Sequence, residues 1–450
     1  MSQKNTKLVR TKLKKKSKSN LSLFINNSKN KFKGNEQKQL QSLLQALNLH
    51  FKRHPFLIKK ELTLYESIEL PLKILNKNSR EIITKFLMEF SDNSIIDFVP
   101  TLIKSIFSGE KEEIFSVTTR ISVRLLFQLI FRLRYMIFQP QVVHELFNSL
   151  MHLERYDLLK MGVVDNLIWS FGQLVSVEPA NCLKIWLIEF LPIISFEKTD
   201  KIILLKLYSF LELILQKLIL NNMSEYHYKS LISPTLFEQL LRIYINEIYI
   251  KNNHEKIAKK LKKIFPLLVN ISLFGDPESP RRYFIQLLSL LATSLIPLRT
   301  LVLDYISQCL ERDFFCFQVW CKAYPLYIPQ SNNLILHIMT ESPKYKIDLK
   351  KCTELCKTFT KINKAILSGK FKQFLNKNQN QNQKSKQNFE KIFDNKFSKK
   401  DIKMATITFK AFRKKASKKR KKALLLLLLL SLALILLFLR NLFFDFIYFF

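Results

Sequence analysis

Six cysteines and seven histidines are the residues of this 450-residue chain best suited to metal or thiol chemistry. Cys352 and Cys356 stand four apart, the spacing of one helical face, and Cys309, Cys316, Cys321 and His337 lie upstream. A structural zinc needs four converging ligands, usually with a close Cys-x-x-Cys or His-x-x-x-His pair on a turn. None of these residues has that setting, and Cys182 stands alone, so the thiols read as core or half-buried residues. The histidines at 50, 54, 144, 152, 227, 254 and 337 form no His-Glu-x-x-His pair and no spacing typical of a nucleophilic triad. Glu112 and Glu113 sit at a predicted helix start, where they complement the helix dipole. With no nucleophile elbow, kinase signature or phosphate-cradling loop, the chain reads as a non-enzyme that needs no cofactor and no metal.

Positive charge is the other chemistry on offer. Residues 1–39 hold 12 Lys/Arg against one acid, and residues 343–422 hold 26 against five, within a formal net charge of +37. Lys12, Lys14, Lys15, Lys16 and Lys18 concentrate the first cluster. Arg413, Lys414, Lys415, Lys418, Lys419, Arg420, Lys421 and Lys422 concentrate the second. Such blocks bind polyanions, and they read here as import and nucleic-acid-contacting tails. The bland reading of each, a solvated charge run, stands beside that one.

The elements that must carry these groups are helices. Only six glycines occur, against a usual share of about 7%, which disfavours hairpins and barrels. From 37 to 368 apolar residues recur at helical spacing. Prolines at 55, 71, 100, 140, 179, 192, 234, 266, 277, 280, 297, 325 and 329 mark turns or first helical residues. Asn78 and Glu81 form a candidate capping box, after which Ile82, Ile83, Phe86, Leu87 and Phe90 share a face. Similar units are expected at about 95–107, 113–138, 141–153, 157–176, 180–195, 199–220, 235–250, 254–269, 281–295, 297–311 and 348–368.

The expected fold is all-α, a HEAT/armadillo-like solenoid of antiparallel helix pairs. A single globular helical domain is the competing architecture. The expected organisation is a disordered basic tail over 1–36, the solenoid over 37–368, a low-complexity basic tail over 369–422 and an apolar tail over 423–450. The polar, basic start, with no apolar segment after it, makes secretion an unexpected fate.

The apolar tail runs from Ala423 to Leu439, nearly all leucine, and continues as a Phe-rich stretch after Arg440. Seventeen residues of helix span roughly 25 Å, at the short limit for a bilayer core. Lys and Arg just before the run would leave the body facing the cytoplasm as a tail-anchored protein. Leu, Phe, Ile and Tyr also have T-rich codons, so read-through of an intron or downstream sequence gives the same pattern. Of the two readings, read-through carries the more weight.

The stretch from His50 to Leu87, with His54-Pro55, Pro71-Leu72, the polar turn from Asn76 to Arg80, and then Phe98-Val99-Pro100, resembles the Ipi-one/Tex-ten family. The basic start with Lys12-Leu13-Lys14, Asn20 and Phe32-Lys33 is similar to that family's tail, whereas its Ala-Leu-Thr-His segment is replaced by Phe107-Ser108-Gly109-Glu110. The resemblance covers about residues 7–135. It implies a non-enzymatic scaffold of the nucleus, nucleolus and nucleoplasm that acts in large ribosomal subunit assembly and internal-spacer processing. It further implies a larger helical scaffold, a WD-repeat propeller and a AAA remodelling ATPase as protein partners, with pre-rRNA of the pre-60S particle bound through the tails. The alternatives are a tail-anchored membrane scaffold facing the cytoplasm and a general helical-repeat adaptor such as a nuclear transport factor.

Overall fold

A computed structural model describes residues 21–53, 64–108, 117–138, 161–196, 199–220, 231–250, 255–341, 344–371 and 398–418, together with positions 142 and 431. Among these residues every regular element is helical, as the glycine-poor, helix-periodic sequence requires. The chain divides into two compact units, Met1–Ile232 with Asn246–Ile271, and Ser233–Ile245 with Ser272–Phe450.

The first unit contains α1 (21–31), α2 (Glu36–Arg53), α3 (Leu64–Glu69), α4 (Lys77–Leu87), α5 (Asp92–Ser108) and α6 (Val117–Leu133). It continues with α7 (Met161–Val175), α8 (Pro179–Glu189), the short α9 (Leu191–Ile194), α10 (Lys201–Leu220) and most of α12 (Glu255–Leu273). Consecutive helices pack on one another: α2 and α5 lie on α6, α6 lies on α7, and α8 lies on α7 and α10. Stacked Phe127, Phe131 and Phe138 fill the seam between them, with centroids 4.2 and 4.1 Å apart.

Local chemistry explains the boundaries. Asn76, not Asn78, caps α4; its side chain accepts from the Ser79 backbone N–H at 2.8 Å. Ile83, Phe86 and Leu87 are then buried, as is Phe90 beyond the helix end. Pro179, Pro192, Pro280 and Pro297 take first-turn positions, where a missing N–H costs nothing. Pro100 and Pro266 depart from the expected turns and lie inside α5 and α12. Around them Val99, Leu102 and Ile103, and Phe265, Leu268 and Val269, are buried, and that packing outweighs the usual cost of an interior proline.

The turn from Ile68 to Leu72 is clamped from two helices. Gln128 on α6 donates to the Ile68 carbonyl at 2.9 Å and accepts from the Leu72 N–H at 2.9 Å. From α7, Gln173 donates to the same carbonyl at 3.1 Å and the Trp169 indole donates to Leu70 O at 3.0 Å. Gly172 makes room for this turn, since a Cβ there would lie 2.7 Å from Ile68 Cδ1. Arg132 adds a two-pronged contact to Glu69 at 3.0 and 3.1 Å.

The second unit contains α11 (Pro234–Ile245), α13 (Ser279–Leu290), α14 (Ile296–Arg312), α15 (Phe315–Ala323), α16 (Ile328–Glu341), α17 (Leu349–Leu367) and α18 (399–418). Its centre is α13, which packs on α11, α14, α15 and α16. Several helices stand where the sequence reading names no unit: α2 and α3 before residue 78, α15 and α16 between 312 and 348, and α18 inside the 369–422 stretch read as tail. Likewise α1 lies within the 1–36 stretch, with Leu21 and Ile25 buried. The expected helix at 141–153 falls outside the described residues, apart from position 142.

The clamp yields a direct test. Gln128→Leu leaves the Leu72 N–H and one bond of the Ile68 carbonyl unsatisfied in the interior, at a cost of about 1–3 kcal/mol. Chemical denaturation of the full chain should show that loss, whereas Gln37→Leu, which removes a partly buried bond to Ser94 O, should cost less.

Candidate anion-binding groove

The site grows from a helix hairpin that the second unit assembles around one buried asparagine. Asp348 caps α17 by accepting from the N–H groups of Lys350 and Lys351, at 2.8 and 3.2 Å. Cys352, Cys356, Phe359, Ile362 and Asn363 then form its buried face. At the far end, Gly369 takes φ +69° and lets the chain leave the helix. Ser398 and Asp401 make a reciprocal capping box for α18: the Asp401 N–H donates to Ser398 Oγ, and the Ser398 N–H donates to Asp401 Oδ2. Ile402, Ala405, Phe409, Phe412 and Ala416 follow at helical spacing and are buried.

Asn363 joins the pieces. The Tyr324 hydroxyl donates to Asn363 Oδ1 at 2.7 Å, and Asn363 Nδ2 donates to Thr406 Oγ1 at 3.0 Å and more weakly to Ile402 O at 3.5 Å. Phe359 stacks on Tyr324 at 3.8 Å, and Phe409 closes on both rings at 5.6 and 5.8 Å.

With the apolar faces turned inward, the outer flanks of α17 and α18 converge on a groove of about 450 Å³. Thr353 and Lys357 line it from α17, and Lys410, Arg413, Lys414 and Ser417 line it from α18. Four cations and two hydroxyls meet there with no carboxylate in the lining. Glu354, three residues before Lys357, is exposed on α17 but does not line the groove. Among the described residues none of the four cations forms an ion pair. Thr353 Oγ1 donates to Leu349 O at 2.7 Å. Chemically, this is a concave set of N–H donors that matches a multiply charged oxyanion.

The sequence-predicted cations separate. Arg413 and Lys414 line the groove, whereas Lys415 donates to Met339 O at 2.8 Å and ties α18 to α16. Lys418 is exposed on the last turn described. Lys12, Lys14, Lys15, Lys16, Lys18, Lys419, Arg420, Lys421 and Lys422 lie outside the described residues. Thr353, Lys357 and Ser417 escape the sequence reading, and Lys410 opens the basic block without being among the cations singled out there. Their signal is helical spacing: 353 and 357 are four apart, and 410, 413, 414 and 417 fall on one flank.

The thiols do not build a reactive site. Cys309, Cys316, Cys352 and Cys356 are buried and Cys321 is half-buried. Burial raises each of these thiols, with Cys352 pushed up to about 12. Among the described residues no group of three or more His, Cys, Asp or Glu could hold a metal ion. His337 is half-buried with Nε2 3.4 Å from Asp304 Oδ1, an oxygen that also accepts from Tyr345 at 2.5 Å and Lys344 at 3.1 Å. Burial lowers the His337 pKa below its ordinary value of 6.5 against the pull of Asp304 and Glu341.

The described residues thus define an all-helical protein with a basic groove in its second unit. Residues 1–438 match the family model described as TMEM214, C-terminal, caspase 4 activator, and the chain belongs to that family. It is similar to Transmembrane protein 214 of Rattus norvegicus, 26% identical over 235 residues, covering 51% of this chain and 32% of the relative. Transmembrane protein 214 of Homo sapiens is 25% identical over 178 residues, with coverages of 39% and 24%. Transmembrane protein 214-B of Xenopus laevis is 22% identical over 327 residues, with coverages of 70% and 43%. The chain thus spans about a third of the length of the curated relatives it matches. No solved structure matches it.

These matches overturn the Ipi-one/Tex-ten resemblance, and with it ribosome assembly, spacer processing and the nuclear and nucleolar location. The partners inferred from that resemblance lose their ground as well. The residues behind the resemblance have a plainer cause. Leu72 is the clamped turn, Arg80 Nη2 donates to Leu72 O at 3.0 Å, and Phe98 and Val99 are buried in α5. His54 and Pro55 lie outside the described residues.

Two measurements test this architecture. Asn363→Leu should leave the Tyr324 hydroxyl buried without its partner and loosen α18, at about 1–3 kcal/mol. Limited trypsin digestion should then cut at Lys403 and Lys410 about tenfold faster or more. For His337 the sign is fixed by its lowered pKa: the unfolded chain takes up the proton first. The neutral imidazole therefore contributes stability above pH 6.5 that is lost as pH falls from 6.5 through the folded-state value. Denaturation at pH 7 and pH 5 should show a smaller pH-dependent loss in His337→Asn than in the native chain.

Proposed function

We propose that this chain is a non-enzymatic helical scaffold held at a membrane through the apolar run that begins at Ala423. The observation that carries this reading is the position of that run. It follows the basic residues from Lys410 to Lys422 directly, and the family match takes it in as far as Phe438. That coverage favours a run shared with the family over a read-through of downstream sequence. Relatives named as transmembrane proteins support the same reading.

No helix among the described residues is long and apolar enough to cross a membrane, and the run itself, apart from position 431, lies outside the residues searched. Seventeen residues suit a span of about 25 Å. The cations ahead of the run place the body on the cytoplasmic face. There the helices stack as antiparallel pairs in the HEAT/armadillo manner and present their edges to protein partners. The family's description as a caspase 4 activator supports a protease of that type as the partner class. On this reading the basic clusters serve the anionic leaflet and acidic partner surfaces.

Carbonate extraction of membranes from cells expressing the full chain tests the proposal. The chain should stay in the pellet, and removal of residues 423–450 should release it. A full chain that alkali strips from the membrane would sink the anchoring reading.

A further inference from the structure

We propose that the groove between α17 and α18 binds the phosphomonoester of an anionic lipid headgroup. The inference rests on the membrane reading for the source of the ligand and on the groove alone for its chemistry. Lys357, Lys410, Arg413 and Lys414 converge without a carboxylate in the lining, and like charges held together repel one another. A doubly charged phosphate removes that repulsion and offers three acceptor oxygens to a fork from Arg413 and point charges from three lysines. Ser417 stands on the same flank as a neutral donor. At about 450 Å³ the groove falls within the range of small-ligand sites, about 300–1,000 Å³.

Position selects the lipid. Ser417 precedes Ala423 by six residues, which reach at most about 22 Å even when fully extended. Whatever path those residues take, one end of the groove stays near the headgroup layer once the apolar run enters the bilayer. Nucleic acid is disfavoured because no aromatic side chain lines the groove to stack a base. The hairpin is also fixed in place. Asn363, Phe359 and Phe409 hold α18 on α17, so the four cations are positioned before any ligand arrives.

The test uses the full chain in detergent micelles, titrated with short-chain phosphatidylinositol 4-phosphate. Phosphatidylinositol, inorganic phosphate and a phosphoserine peptide serve as comparison ligands. The expected result is binding of the phosphorylated lipid at least about tenfold tighter than any of the three. The triple variant Lys357→Gln/Arg413→Gln/Lys414→Gln should lose about tenfold or more. Lys399→Gln/Lys400→Gln/Lys403→Gln removes the same charge from α18 outside the groove and should lose less than about twofold. Thr353→Glu places a carboxylate beside the cations without removing any. It should also abolish binding, which keeps the test valid if the triple variant fails to fold.

Equal losses from the two triple variants would show diffuse charge rather than a site. Inorganic phosphate binding as tightly as the lipid, or the phosphopeptide binding more tightly, would overturn the lipid assignment. The groove variant should still resist carbonate extraction, so failure of the anchor and failure of the groove remain distinguishable.

Discussion

The seating of α18 depends on one buried amide. Asn363 uses its carbonyl oxygen for Tyr324 and its amino group for Thr406, so it satisfies polar atoms on three helical segments at once. In a low-dielectric interior each of those groups would be costly if left alone, and the alternative for α18 is full solvation. The aromatic contacts of Phe409 with Phe359 and Tyr324 supply apolar burial, while the amide supplies register. Sliding α18 by one residue would turn Thr406 away from Asn363 and bring charge toward the core.

That register decides what the outer surface looks like. Buried positions 402, 405, 409, 412 and 416 fix one side of α18. A lysine-rich sequence then has nowhere to put its cations except the flanks and the solvent side. The flank that meets α17 receives Lys410, Arg413 and Lys414, opposite Lys357. Lys415, one position on, is instead drawn to the Met339 carbonyl near the C-terminal end of α16, where a cation meets unpaired carbonyls and the negative end of the dipole. Adjacent residues in one basic block therefore do different jobs, one closing a helix junction and the others furnishing a concave site.

The helical body was legible because its signal is periodic and its punctuation chemical. Apolar spacing marks α4, α5, α10 and α14 directly, and first-turn prolines mark several starts. What stayed hidden had a competing signal. In α18 the five buried apolar residues are outnumbered by charged neighbours, and its capping box lies beside an Asn/Gln-rich stretch, so composition masked periodicity. In α15 the segment Phe315 to Ala323 is apolar on most sides and too short to show a stripe, and Pro325 and Pro329 read as turns after it. The groove could not be read at all without α18, because half of a two-helix site carries no concavity. The family was misread because short motifs such as Pro71-Leu72 reflect turn mechanics rather than descent.

Both units use buried side-chain amides, but for different partners. A helical chain with few glycines makes few tight turns, so irregular backbone between helices is left with polar groups that face the interior. In the first unit Gln128 and Gln173 reach from helices into the turn at Ile68 to Leu72 and supply the missing partners. In the second, Asn363 pairs instead with two side-chain hydroxyls, those of Tyr324 and Thr406, and only weakly with the Ile402 carbonyl. Buried amides suit the task because each carries a donor and an acceptor and no charge, so the cost of burial is met by bonds the backbone needs anyway. In the hairpin of α17 and α18 this leaves the lysines and arginines on the outer flanks. The basic groove is thus a consequence of how the hairpin is closed: its interior takes an amide and aromatics, and four cations are left along the flanks where α17 and α18 meet.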